Sequence, residues 1–202
     1  MHPEFDLSPA ADALADIVTA IDDAQLEAPT PADVPVRVLI QHVDGLAEAF
    51  RAAATKESLG ASAAPEFGSG AALPAQWRIA VPARLRALAR AWREPAAWQG
   101  DTEAGGVTMP APVTARVALD EIVVHAWDLA HATCQELKVG DSDLAVLLDF
   151  LKDTPAEGTP GLFGPIVPIG PAAPVLHRVL GLAGRDPFWI PRRGEPADRA
   201  AG

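Results

Sequence analysis

Glu121 and His125 stand four residues apart in the run Arg116-Val-Ala-Leu-Asp-Glu-Ile-Val-Val-His-Ala-Trp-Asp-Leu-Ala130, which holds neither glycine nor proline. Such a run reads as a helix, and at roughly 100° per residue an i, i+4 pair is offset by only about 40°. Carboxylate and imidazole therefore project side by side. Val117, Ala118 and Val124 share the stripe, an apolar face of the kind that packs on a core. An acid and an imidazole together on such a face are donors for a divalent cation, given a third ligand from elsewhere. Without that ligand, the pair is a buried histidine donating to Glu121 or to a backbone carbonyl.

His42 is the candidate third ligand. Leu39, Leu46 and Ala49 are its neighbours at i−3, i+4 and i+7, so its imidazole lies on an apolar helix side and points inward. If the two helices are neighbours, His42, Glu121 and His125 meet as a two-histidine, one-carboxylate set. Three protein ligands leave a coordination position open for water or substrate, a catalytic pattern and not a structural one. Asp128 falls within roughly 20° of Glu121 on the helix, as a fourth ligand or, preferably, as an acceptor that orients an imidazole. No side chain is singled out as the catalytic group; a bound water or thiol takes that place.

The remaining reactive residues read as structural. His131 is turned about 80° from Glu121, to the rim of the stripe. His177 is a surface or boundary histidine, and His2 is solvated in the N-terminal overhang. Cys134 has no cationic neighbour to activate it and is expected to be a small buried hydrophobe. Gly68-Ser69-Gly70 lacks the preceding strand of a phosphate loop and reads as linker. The five tryptophans are packing anchors. Arg84, Arg86, Arg90 and Arg93 make a solvated basic face, from which one arginine could reach a carboxylate on a small ligand.

These side chains need helices to hold them. Ser8-Pro9 is a helix start, with Ser as N-cap, and Leu14, Ile17, Val18 and Ile21 follow at helical spacing until Ala28-Pro-Thr-Pro31. A second helix begins after Asp33 and Pro35, with Leu39, Val43, Leu46 and Phe50 as its stripe, and ends near Leu59-Gly60. Residues 60–71 are loop. A third helix covers about Pro74 to Arg93, kinked or split at Pro82. Residues 95–110 form a connection, and a fourth helix runs from about Pro112 to Leu137. Asp141 or Ser142 caps a short helix, Thr154 to Pro174 is extended loop over the bundle, and a last helix holds Val175 to Leu182 with Gly184 as its C-cap. No repeat and no strong strand stands out, and the tail from Arg192 is frayed.

Composition narrows the class. A chain of 202 residues with 49% hydrophobic residues and a mean hydropathy of +0.12 can bury a core. Aromatics are only 5% and tyrosine is absent, so small aliphatic side chains must carry the packing, as in close-packed helices. A net charge of −11 repels phosphate backbones and anionic lipid, which argues against nucleic-acid and membrane partners. The start Met-His-Pro-Glu-Phe-Asp is unlike a signal peptide, and a single cysteine agrees with a reducing cytoplasm.

Two motifs carry a family resemblance. Ala28-Pro-Thr-Pro31 followed by Val36-Arg-Val-Leu-Ile-Gln-His42-Val-Asp-Gly45 resembles the opening T-P-C…W-x-V-x-x-L-x-x-H-x-x-G of mycothiol-dependent maleylpyruvate isomerase-type proteins, of the DinB-like superfamily. Glu121-x-x-x-His125-Ala-Trp127-Asp128-Leu129-Ala130 resembles their second signature. The end, Phe163-Gly-Pro165 and Leu182-Ala-Gly-Arg-Asp-Pro187, is similar to an actinobacterial branch of metal-binding proteins. The likeness runs from about Leu14 to Pro191. It implies an all-α, DinB-like four-helix bundle (about 8–137) with a helical, Pro/Gly-rich C-terminal extension (about 138–191), forming one domain over 1–202. It also implies a divalent metal, zinc or another such as nickel, on the positions matching His42, Glu121 and His125. A small thiol such as mycothiol would act there on an electrophile, as a transferase or isomerase; a non-catalytic metal-binding or sensing protein, and a homodimer, are the other expectations. The family's cysteine is Ala32 here and its tryptophan is Val34. Residues 138–202 are too short and Pro-rich for the isomerase's further domain, so maleylpyruvate isomerisation itself is not expected.

Overall fold

The computed structural model of the chain describes residues 2–60, 62, 72–158 and 164–191. Six α-helices run through them: α1 (Ser8–Ala20), α2 (Val36–Thr55), α3 (Trp77–Trp92), α4 (Ala111–Ala132), α5 (Asp141–Leu151) and α6 (Val175–Leu182). A two-stranded hairpin, β1 (Asp101–Ala104) and β2 (Val107–Pro110), precedes α4. The glycine-rich linker at 68–70, Phe163 and the tail from Arg192 lie outside the described residues.

Each helix boundary has a local cause. The Asp6 carboxylate accepts from the Ser8 N–H and hydroxyl at the start of α1; the N-cap position falls on Leu7, one residue earlier than expected, and Ser8 is already helical. Between α1 and α2, the buried Thr30 hydroxyl donates to the Val34 carbonyl, and the Val36 and Arg37 N–H groups return to Ala28 and Leu26. That closed loop aims α2 back across the core. Lys56 ends α2 in a left-handed conformation (φ 66°), and Cys134 does the same just past α4 (φ 56°). α4 is thus shorter than expected, and Cys134 is exposed: the αL turn that ends the helix swings its thiol outward, against the buried reading.

α1 packs on α3 and α4, and α2 packs on the same two helices, so α1 and α2 face each other across a diagonal. The expected stripes of α1 and α2 enter the shared core through Leu14, Val18, Leu39 and Val43, and Leu85, Leu88, Leu119 and Leu129 of α3 and α4 meet them there, all but sealed from solvent. Fully burying side chains of this size stabilises by about 1.5–3 kcal/mol each. Pro82 lies inside α3 without splitting it. Its missing N–H removes one bond to the Arg78 carbonyl, and α3 is held on both sides by α1 and α2. Trp77, Trp92, Trp98 and Trp127 are buried as anchors, while Trp189 is half-buried.

The hairpin was not legible as strands. Gly105 and Gly106, both at positive φ (60° and 76°), supply the tight turn that pairs Ala104 with Val107. Strands of four residues carry too little alternation to stand out, yet Thr102 donates to the Ala53 carbonyl and fastens the hairpin to the end of α2. The arginines expected as a solvated face are exposed, and three of them pair with acids on neighbouring elements: Arg84 with Asp44, Arg86 with Asp12 and Arg93 with Asp6. No described helix is long and apolar enough to cross a membrane.

Candidate metal centre

α2 and α4 pack directly against each other, which is the condition the spacing argument required. His42 on α2 is 8% exposed and His125 on α4 is 4% exposed, so both imidazoles face the interior. Their rings meet edge to face, with centroids 5.1 Å apart. His125 Nε2 lies 3.0 Å from Glu121 Oε2. One ligand atom from each of His42, Glu121 and His125 falls within 4.8 Å of the others, and among the described residues this trio is a group able to hold a metal ion. Bonds of about 2.0–2.2 Å put adjacent ligand atoms roughly 3–3.5 Å apart. The His125–Glu121 distance already has that value, and the His42 ligand atom lies no more than 4.8 Å from either. Two neutral nitrogens and one carboxylate oxygen are a donor set that zinc accepts. The residues fit a divalent cation.

The other face of the His125 ring is equally defined. Its Nδ1 lies 3.0 Å from Asp128 Oδ2, which leaves Nε2 aimed at Glu121 and His42. Asp128 is fully buried, and its carboxylate also accepts from Arg185: Nε at 3.1 Å to Oδ1 and 3.2 Å to Oδ2, and Nη2 at 3.2 Å to Oδ2. Asp128 therefore touches the imidazole and not the trio's focus. His131 donates from Nε2 to the Trp189 carbonyl at 2.7 Å and stacks against Trp127, a boundary position outside the trio. His2 is exposed and His177 half-buried against Phe188.

Charge is dense here. Burial pushes the His125 pKa down, but hydrogen bonds to Asp128 and Glu121 and their negative charge outweigh it, lifting the group to about 9. Burial pushes Glu121 up, and the hydrogen bond and charge of His125 pull it, on balance, below the usual carboxylate range. Without a cation, then, His125 is an imidazolium held between two carboxylates. Asp120 is different: burial, aided by the Glu121 charge, drives its pKa up to about 8, and its Oδ1 has no hydrogen-bond partner.

Two residues of this cluster escaped the sequence. Asp120 could have been found, since Val117, Val123, Val124 and Trp127 surround it at i−3, i+3, i+4 and i+7 and mark an inward position. Arg185 gave no such signal, because it sits 57 residues beyond Asp128 in a turn after α6. Glu121 also lines an apolar cleft with Val43, Leu46, Phe50, Leu85 and Leu88 that encloses about 10 Å³, room for one water-sized group.

The comparison with known families agrees with the position of this cluster. Residues 7–130 match the family described as Mycothiol maleylpyruvate isomerase N-terminal domain, a stretch that includes all three residues of the trio and Asp128. No curated protein and no solved structure matches the chain.

Proposed function

We propose, from the premise that the chain belongs to the mycothiol maleylpyruvate isomerase N-terminal domain family, that it is a DinB-like bundle binding one divalent metal, zinc first, and using it for thiol-dependent transfer or isomerisation on a small electrophile. The observation that carries the reading is the convergence of His42, Glu121 and His125 within 4.8 Å. His42 Nδ1 or Nε2, Glu121 Oε and His125 Nε2 are the ligand atoms. A divalent ion bound there supplies Lewis acidity, which favours the thiolate of a small cofactor such as mycothiol at neutral pH. Asp128 accepts the Nδ1 proton of His125, which fixes the tautomer and keeps Nε2 free to ligate. Val43, Leu46 and Phe50 form an apolar wall along one side of Glu121. We read bundle and C-terminal extension as one unit.

Elemental analysis of tag-free protein is expected to find about one divalent ion per chain, and Glu121→Ala protein close to none. Equally little metal in both would end the reading. Given metal, turnover of an electrophile with mycothiol that His125→Ala abolishes supports the enzyme.

One observation favours a second reading, a metal-binding protein without catalysis. The cleft beside Glu121 is otherwise lined by apolar side chains such as Val43, Phe50 and Leu88, so it offers a substrate no polar anchor besides Glu121 itself. Stoichiometric metal with no thiol-dependent turnover on any acceptor would favour it.

A further inference from the structure

The C-terminal segment lies beyond the matched family region, yet it delivers a side chain into the cluster. α6 ends at Leu182 with Ala183 as its C-cap, and Gly184 turns the chain at φ +78°. The Gly184 N–H bonds to the Gly181 carbonyl at 3.2 Å and the Arg185 N–H to the Leu180 carbonyl at 2.8 Å, a left-handed helix stop. The strap at 164–169 crosses α6 at contact distance. A β-carbon at Gly181 would lie 2.5 Å from the Val167 carbonyl oxygen, and one at Gly184 would lie 3.0 Å from Gly164 backbone atoms. Two glycines thus let the strap press on α6 and fix where Arg185 leaves the turn. Four residues on, the Trp189 carbonyl accepts from His131, one turn along α4 from Asp128. The segment is therefore fastened to two successive turns of the helix that carries Glu121 and His125.

Arg185 meets a carboxylate that has little else. Asp128 is sealed from solvent, and its hydrogen-bond partners are His125 and Arg185. A buried carboxylate takes the orientation its partners dictate, because leaving one of its oxygens unpaired costs the full desolvation penalty. The guanidinium spans both Asp128 oxygens, so it fixes the plane of the carboxylate. That plane sets which way the His125 ring faces, and hence where Nε2 points.

We infer that Arg185 is a positioning residue of the metal centre: by holding Asp128, which holds His125, it makes affinity for a divalent cation depend on the docked C-terminal segment. The inference rests on the metal reading of His42, Glu121 and His125. Losing an outer partner of a metal-bound histidine costs about 10–100-fold in affinity.

The test uses the full chain, stripped with chelator and titrated with Co²⁺ and Zn²⁺, in wild type, R185Q, R185K, H125A and, as a surface control, R90Q. Visible absorption of Co²⁺ reads the ligand geometry, chelator competition reads affinity, and thermal melts of the metal-free proteins read fold stability. Expected are a tenfold or greater loss of affinity and an altered Co²⁺ spectrum in R185Q. R185K, which keeps one charged donor but not the fork, recovers part of it. R185Q binding both ions as wild type does, with only its melting temperature lowered, overturns the inference and leaves Arg185 a packing residue. Should R185Q not fold, R185K decides: a several-fold loss supports the inference and wild-type affinity overturns it. Wild type binding no better than H125A removes the metal reading and this inference with it. Binding by wild type but not H125A, unaffected in either Arg185 variant, removes the inference alone.

Discussion

Helices α2 and α4 and the segment after α6 build the same cluster in different ways. His42, Glu121 and His125 reach it as periodic positions on two helices that the core clamps together. Arg185 reaches it from a turn, on a chain crossing that depends on Gly181 and Gly184. The first arrangement tolerates sequence change wherever the apolar stripe survives. The second depends on a few backbone contacts, so it is the part of the site that a local disturbance can uncouple.

The largest effect expected from that difference comes from paired core truncations. Leu88 in α3 and Leu180 in α6 are both almost fully buried, so Leu88→Ala and Leu180→Ala should each lower stability by about 2–5 kcal/mol. Denaturant melts of the metal-free proteins measure this. Their zinc affinities should diverge, because only Leu180 is a core side chain of the segment that carries Arg185. Matching affinities in two equally destabilised variants would make the C-terminal segment a passenger at the site.

The same difference governs what the sequence could reveal. Leu39, His42, Leu46 and Phe50, or Val117, Glu121, Val124 and His125, recur at helical spacing, so their common face is readable from one chain. That two such faces would pack on each other was an inference from the bundle, and the α2–α4 contact supplies it. Asp128 was readable as a neighbour of the pair but not as a bridge to Arg185, since nothing local ties residue 185 to α4. Cys134 was misjudged because composition says that a thiol is usually buried, whereas the left-handed turn at its own backbone turns it out. The hairpin at 101–110 was missed because its stability comes from anchoring to α2 and not from strand propensity.

A smaller, pH-dependent effect separates the charged centre from the apolar core around it. In the metal-free protein His125 holds its proton up to about pH 9, against about 6.5 in an unfolded chain. A group whose pKa is raised by folding stabilises the fold fully below the unfolded value, and that contribution fades as pH climbs through the folded one. Metal-free stability should therefore fall between pH 6.5 and 9, on the order of 1–3 kcal/mol in all. Asp120, also raised, pushes the same way below pH 8. Metal binding must displace the Nε2 proton, so affinity should rise over the window in which apo stability declines. Urea melts and Zn²⁺ titrations at pH 6.5, 7.5 and 8.5 follow both. In His125→Ala protein the share of the decline that His125 carries should be lost, while Asp120, no longer held down by the His125 charge, shifts its own share to higher pH; a profile identical to wild type would mean that another group titrates.

The smallest effect compares two arginine–aspartate pairs that differ mainly in burial. Arg84 and Asp44 join α3 to α2 at the surface, with about half of the arginine side chain in water (49%). Arg185 and Asp128 join α6's turn to α4 with the aspartate sealed (0%). In high dielectric the first pair gains little Coulomb energy and gives up side-chain entropy to form, so it contributes about 0–1 kcal/mol. R84Q should accordingly leave stability within about 1 kcal/mol of wild type and metal affinity unchanged. A loss above 2 kcal/mol in denaturant melts would show that the pair acts beyond its exposed contact. Asp44 keeps part of its surface in water when the guanidinium is lost, whereas Asp128 is sealed in the folded chain and would be left a buried, underpaired charge, and that asymmetry is why the same pairing is minor on α3 and consequential after α6.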